Sequence, residues 1–154
     1  MKKGAIISEC GKYRYQLWRI WNETKPLIMF VMHNPSTADA DSDDPTIRRL
    51  IGFAQHWGYG GFYVGNQFPY RATNPKDLKG LSVSELCPLD NIKHINEMSD
   101  KCHLHVLAYG NLFDQKWKPE TFDSRWHHLG LTKAGNPKHP LYLPKDAILH
   151  KMEP

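Results

Sequence analysis

The run MHNPSTADADSDDPT, residues 32 to 46, places an asparagine, two serines and four aspartates directly behind the apolar stretch LIMFV. Asp39, Asp43 and Asp44 could hold a divalent cation, because carboxylate oxygens are the ligands that Mg²⁺ prefers. The run could instead be a solvated loop that ends in a helix cap, with the NPS tripeptide at 34 to 36 as a simple turn. The other strand ends supply asparagine and arginine rather than acids, so we predict no metal and no cofactor.

Polar side chains also follow two further apolar runs, GFYVGNQF at 61 to 68 and LHVLAYGN at 104 to 111. Asn66 carries both a hydrogen-bond donor and an acceptor, so its side chain could read the edge of a nucleobase. Arg71 could hold a phosphate or brace the aspartates of the first loop. These residue types therefore favour recognition of a nucleotide over acid-base chemistry.

Aromatic side chains lie close to the same strand ends. Phe68, Tyr70 and Tyr109 could stack on a base, although a place in the core is an equal alternative for Phe68. His139, between a lysine and a proline, is either structural or part of the same site. Only the elements that carry these residues can decide whether they meet.

The hydrophobic pattern predicts alternating strands and helices. Apolar runs predict strands at 27–32, 61–68 and 104–111, and a short last strand at 140–143. Helical spacing predicts a helix from Pro45 to Gly58, another at 88–102, and a weaker one at 112–128. The alternating YRYQLWRIW at 13–21 and the turn NETKP predict a leading hairpin.

This alternation predicts an α/β fold, a three-layer αβα sandwich with a mostly parallel central sheet, preceded by a β-hairpin. In such sheets ligands bind beyond the carboxyl ends of the strands. We therefore expect Asn34, Asn66 and His139 to lie around one pocket, although 32 and 73 residues separate them.

Composition is that of an ordinary soluble protein, with 154 residues, 40% hydrophobic and 23% charged residues, and a net charge of +4. We expect a single domain over residues 1–154, with a partly ordered tail at 145–154. No run approaches the roughly 20 apolar residues of a membrane span. The three cysteines form no metal or disulfide pattern, and no signal peptide is evident, so we expect a cytoplasmic protein.

The chain resembles the bacterial and phage family catalogued as domain of unknown function 1643 over roughly residues 10 to 144. The resemblance is carried by NPSTADADSDDPTIRRLIGFAQHWGYGGFYVGNQFPYRATNPKDL, LAYGN and GNPKHPLYL. The order of elements is in turn similar to that of the uracil-DNA glycosylase superfamily. That resemblance implies a glycosylase-like fold, with Asn34 orienting water, Asn66 reading the base and His139 in the third loop. Met32 stands where those enzymes usually have glycine.

Three hypotheses for the function follow. The first is a nucleobase- or nucleotide-recognising protein, with N-glycosidase action on DNA or a modified base as its enzymatic form. The second is a non-catalytic binder that sequesters a nucleotide, and the third is a metal-dependent phosphohydrolase centred on the aspartates. The predicted catalytic residues are Asn34, Asp39 and His139, and the predicted ligand-binding residues are Ser36, Asn66, Phe68, Tyr70, Arg71, Tyr109 and Asn111. The partner is a nucleic acid or a free nucleotide; the sequence leaves the oligomeric state open.

Overall fold

The structure is a computed structural model that describes residues 1–111 and 125–152. Within these residues the fold is α/β, with one seven-stranded sheet. The strands are β1 (Lys2–Ile7), β2 (Arg14–Ile20), β3 (Leu27–Met32), β4 (Gly61–Asn66), β5 (Leu104–Leu107), β6 (Trp126–His128) and β7 (His150–Lys151). The helices are α1 (Pro45–His56), α2 (Val83–Leu86) and α3 (Asp90–Lys101), with 3-10 helices at Pro75–Leu78 and Pro140–Tyr142.

The sheet is mixed, in the order β1-β2-β4-β3-β5-β6-β7. The central strands β4, β3, β5 and β6 are parallel, whereas the pairs β1–β2, β2–β4 and β6–β7 are antiparallel. The prediction of a mostly parallel sheet is therefore not confirmed. The parallel neighbours β3–β4 and β3–β5 are joined through helices, as parallel pairing requires, whereas among the antiparallel pairs of the described strands a short turn joins only β1–β2.

Helices pack on both faces of the sheet. Side chains alternate along β3, so that Phe30 belongs to the apolar cluster under α1 and Val31 to the cluster under α3. The 12-residue helix α1 buries the apolar side chains that its sequence spacing predicted, Ile47, Leu50, Phe53 and Ala54. Strand β3 is therefore buried between the two helical layers, and its carboxyl end lies at the edge of both.

The leading hairpin differs from the predicted one. Strand β2 pairs with β1 and with β4, and β4 separates it from β3. The turn after β2 therefore does not close a hairpin between 13–21 and 27–32. The observed hairpin joins β1 to β2, and β1 was missed because its sequence KKGAII has little alternation.

Two predicted elements near the carboxyl terminus also change. Residues 112–124 of the predicted helix at 112–128 lie outside the described residues, and Trp126–His128 forms strand β6 instead. The predicted strand at 140–143 is a 3-10 helix, which begins at Pro140 because His139 caps it. No helix in residues 1–111 and 125–152 is both long and apolar enough to cross a bilayer.

Candidate functional site

A cavity of about 500 Å³ opens at the carboxyl ends of β3 and β4, beside the amino terminus of α1. Its lining comes from β2, from the end of β3 and the following loop, from the start of α1, from β4 and its loop, and from the 3-10 helix at Pro140–Tyr142. Asn34, Ser36, Asn66 and His139 all contribute to this lining. The sheet edge thus brings together three segments that are far apart in sequence.

Asn66 lies at the floor of the cavity. Phe62 and Val64 pack in the cluster under α1, so the two-residue period of β4 points the Asn66 side chain to the same face. The residue is 0% exposed, and neither its Nδ2 nor its Oδ1 has a hydrogen-bond partner within the described part of the chain. Its backbone carbonyl, in contrast, accepts a hydrogen bond of 2.9 Å from Asn91 Nδ2. The backbone of Asn66 is thus hydrogen-bonded, whereas its side-chain amide makes no hydrogen bond within the described residues.

Among the described residues, Arg14 is the one arginine or lysine of the lining, and it was not predicted as a site residue. It is 3% exposed, and its Nη1 donates to the carbonyl of Ala38 at 3.1 Å. Its Nε has no hydrogen-bond partner among the described residues. Burial lowers the pKa of Arg14 to about 10, against an opposing effect of the Asp44 carboxylate. The guanidinium therefore stays protonated at neutral pH.

A β-bulge turns Arg14 towards the cavity. Ile6 and Ile7 are consecutive in β1, but they pair with Gln16 and Arg14, so Tyr15 is an extra residue in β2. Tyr15 stacks on His94 of α3 and Gln16 bonds the same histidine, so both point to the α3 face. Arg14 consequently faces the α1 side, where the cavity lies.

Asp44 joins the cavity to α1. Its Oδ1 accepts the backbone N–H of Ile47 at 2.8 Å and so caps the helix, and its Oδ2 accepts the N–H of Ala38 at 3.4 Å. The carboxylate raises the pKa of both Arg14 and His139, each against a larger effect of burial. The sequence predicted the cap, but it did not predict that the cap would border the site.

Two histidines line the cavity in defined tautomers. His139 Nδ1 accepts the N–H of Leu141 at 3.2 Å, so in the neutral ring the proton lies on Nε2. Burial lowers the pKa of His139, partly offset by Asp44. Burial also lowers the pKa of His33, whose Nδ1 lies 3.0 Å from Gln67 Oε1. Burial thus favours the neutral form of both rings, and in that form His139 can donate a hydrogen bond through Nε2.

Asn34 links two loops at the cavity wall. Its Nδ2 donates to the carbonyl of Ala72 at 2.9 Å and to that of Pro35 at 3.1 Å. Both amide hydrogens are used in this way, which leaves Oδ1 as the group that could accept from a water or a ligand. Asn34 could therefore contact a water or a ligand only as a hydrogen-bond acceptor, through Oδ1.

The acidic loop is held by hydrogen bonds and an ion pair within the chain. Asp39 Oδ1 accepts the N–H groups of Asp41 and Ser42, which lowers the pKa of Asp39, and Asp43 pairs with Arg19 Nε at 2.8 Å. Asp39 and Asp43 lie outside the cavity lining. Within residues 1–111 and 125–152, no three histidine, cysteine or acidic side chains cluster as metal ligands would. Asp39 is thus not brought to the predicted catalytic pair.

The structure does not bring the other predicted ligand-binding residues into the lining. Phe68 packs edge-to-face on His33, and Tyr70 packs in the same way on Tyr13. Tyr109 is buried in the cluster under α3, on the opposite face of the sheet. The reason is that a strand end carries side chains on both faces, and only those on the α1 side reach the cavity.

Asn111 and Arg71 serve local structure. Asn111 Oδ1 accepts hydrogen bonds from Thr132 Oγ1 at 2.7 Å and Asn136 Nδ2 at 2.8 Å, which organises the loop before His139. Arg71 Nη1 donates to the carbonyl of Gly11 at 3.4 Å. Hydrogen bonds to the aspartate loop come from Arg19, whereas the charge of Arg71 is one of the smaller causes that lower the pKa of Asp39.

A family model described as "Protein of unknown function (DUF1643)" matches residues 14–141. No curated protein was found to match the chain. No solved structure was found to match it either, so the resemblance to the glycosylase fold has no support from a neighbouring structure.

Proposed function

Because the chain belongs to the DUF1643 family, whose description assigns no activity, we propose from the cavity itself that the protein recognises a nucleobase, carried by a nucleotide or a nucleic acid. The observation that carries the proposal is the Asn66 amide, 0% exposed and without hydrogen-bond partners among the described residues. A buried polar group left unsatisfied costs about 1 to 3 kcal/mol. A ligand that supplies both partners removes that cost.

A nucleobase edge fits this amide well. A primary amide offers a donor and an acceptor side by side, and nucleobases present the complementary pair in the same plane. The volume of about 500 Å³ lies within the range of small-molecule sites, which is roughly 300 to 1,000 Å³. Apolar wall residues such as Met32, Val64 and Ile47 offer contacts to the flat faces of a base.

His139 supports an N-glycosidase as the second candidate. In that reaction the C1′–N bond breaks with its electron pair on the base, the oxygen of water bonds to C1′, and the proton that the water loses ends on the base nitrogen. The Nε2–H of His139 is a donor that could stabilise the departing base, and Asn34 Oδ1 could accept from the water. A binder that sequesters its ligand requires Asn66 but neither of these steps.

Calorimetric titration with free bases, nucleosides and nucleotides tests the proposal. We expect one base to bind, and Asn66→Leu to weaken its binding by about 1 to 3 kcal/mol, roughly tenfold to a hundredfold in Kd. Asn22→Leu is the matched control, because Asn22 lies in the turn at the opposite end of β4. Equal binding of all bases, or equal losses in both variants, would refute base recognition.

The same mixtures separate the enzyme from the binder. Chromatography of the ligand after incubation shows free base if the protein is an N-glycosidase, and intact ligand if it only binds. Modified DNA duplexes belong in the panel beside the free compounds. Release of base by the parent protein and its loss in His139→Ala would assign the donor role to His139.

A further inference from the structure

We propose that Arg14 is an anion-binding residue and that the cavity takes a nucleoside phosphate, with the phosphate on Arg14 and the base on Asn66. The inference rests on the proposed function for the base half of the ligand. The anion half stands on the geometry of Arg14 alone. The two halves can therefore fail separately in an experiment.

The burial of Arg14 is the first argument. A guanidinium that is 3% exposed has lost most of its hydration, yet it makes a single hydrogen bond, to the Ala38 carbonyl, and its Nε makes none within the described residues. An isolated buried charge is strongly unfavourable unless it is paired and hydrogen-bonded. Since Arg14 has five N–H donors in a planar fork, a phosphate could satisfy several at once.

The neighbouring carboxylate of Asp44 does not pair with the Arg14 guanidinium as a phosphate would. Asp44 interacts electrostatically with Arg14, but among the described residues the two form no ion pair within 4.0 Å. Both Asp44 oxygens accept backbone N–H groups, of Ile47 and Ala38. The first turn of α1 also lines the cavity, but Asp44 already caps it, so the positive charge offered to an anion is that of Arg14.

The depth of both groups defines the kind of phosphate. Asn66 is 0% exposed and Arg14 is 3% exposed, and they stand on adjacent strands of the same sheet. One ligand must reach both inside about 500 Å³. A phosphate inside a nucleic-acid strand has chain on both sides and needs an open path, whereas a terminal phosphate monoester can enter a closed floor. The geometry therefore favours a free mononucleotide over a strand.

The test compares ligands that differ only in phosphate. For the base that binds best, the nucleoside, its 5′-monophosphate and a short single strand containing the same base are titrated into the full chain. The monophosphate is expected to bind about tenfold to a hundredfold more tightly than the nucleoside. It is also expected to bind more tightly than the strand. Equal affinity for nucleoside and monophosphate overturns the proposal, and a preference for the strand overturns the free-mononucleotide part.

Variants assign the effect to Arg14. In Arg14→Gln the advantage of the monophosphate should disappear while nucleoside affinity stays the same, and Arg14→Lys, which keeps the charge but loses the fork, should retain part of it. Lys133→Gln removes one positive charge from an exposed turn outside the lining and should behave as the parent. Equal losses in Arg14→Gln and Lys133→Gln would point to general charge and refute the assignment.

Inorganic phosphate separates this inference from the proposed function. Phosphate alone should raise the melting temperature of the parent protein and not that of Arg14→Gln. If phosphate has this effect and no nucleoside or nucleotide binds, the anion site stands and base recognition falls. If a nucleoside binds and phosphate has no effect on either protein, base recognition stands and the anion site falls. The parent titrations decide the point even if Arg14→Gln does not fold.

Discussion

Two arginines five residues apart on β2 show how differently this fold treats buried charge. Arg19 is 0% exposed, and its Nε pairs with Asp43 at 2.8 Å. Its Nη atoms donate to the carbonyls of Trp18, Asp39 and Ser42. Arg14 is 3% exposed on the same face, but among the described residues its side chain bonds only the Ala38 carbonyl. Within those residues Arg19 has a full set of partners, and Arg14 does not.

The difference separates polar groups that are hydrogen-bonded within the fold from polar groups that have no partner among the described residues. Around Arg19, the guanidinium fixes the aspartate loop, because it donates to the carbonyls of Asp39 and Ser42. Around Arg14, the second unsatisfied group is the Asn66 amide. Substitutions in the two regions should therefore have opposite consequences for stability and for binding.

Arg19→Met should have the largest effect. It removes the donor to three backbone carbonyls and the nearer partner of Asp43, which keeps Lys3 at 3.8 Å. Breaking a buried pair costs about 3 to 5 kcal/mol of unfolding free energy. Arg14→Met removes a poorly paired charge and should change stability by no more than about 1 kcal/mol. Urea denaturation of both variants measures the contrast, and similar losses in the two would abolish the distinction.

Asn66→Leu should stabilise the protein while it removes base binding. Replacing an unsatisfied amide by an apolar group of similar size relieves a penalty of about 1 to 3 kcal/mol, and part of that should appear as a higher melting temperature. A gain of stability with a loss of ligand is the behaviour expected of a group reserved for binding. A fall in melting temperature would instead show that the amide is satisfied in the folded protein.

Asp44 caps α1 and borders the cavity, and its contributions through capping and through charge can be separated. Asp44→Ala should lower the unfolding free energy by about 1 kcal/mol, because the cap of α1 is lost. Asp44→Asn keeps a capping oxygen and should cost less. Thermal denaturation of the two variants checks the order, and an equal cost would show that charge rather than capping stabilises this end of α1.

The smallest effect is a dependence of stability on pH. Burial lowers the pKa of His33, His128 and His139 below 6.5 in the folded protein. As the pH falls through 6.5 the unfolded chain binds protons first, so stability is full above that value and declines below it. Urea denaturation at a series of pH values between 7.5 and 5 measures the decline.

His139→Asn is the matched test for one of these groups. Asparagine can still cap the 3-10 helix but does not titrate, so the decline should be shallower than in the parent. An unchanged slope would remove His139 from the groups that titrate on folding.

Elements with their own local pattern were predictable from the sequence. Helix α1 has its cap, its proline and its apolar spacing within one stretch, and the observed Pro45–His56 agrees with the predicted start. Asn66 was predictable for the same reason, since a polar amide directly follows a buried strand. Strand β6, with three residues, has too short a pattern to be distinguished from the helix predicted there.

What the sequence could not predict depends on pairing between distant segments. The position of β2 beside β4 follows from the order of the whole sheet. Tyr109 was expected near the ligand because it follows a strand, but the face it points to depends on how β5 pairs with β3. Arg14 was missed because regular alternation along β2 would point it to the α3 face. The bulge at Tyr15, which depends on pairing with β1, turns it to the α1 face instead.

The one extra residue in the bulge of β2 determines which side chain of that strand faces the cavity. If β1 and β2 paired without the extra residue, the two-residue period running back from Leu17 would point Tyr15 to the α1 face and Arg14 to the α3 face. The same seven residues would then offer the cavity a neutral phenol in place of a permanent positive charge. Strand β1, whose own residues lie outside the lining, thus decides by its register whether this wall of the cavity carries a positive charge.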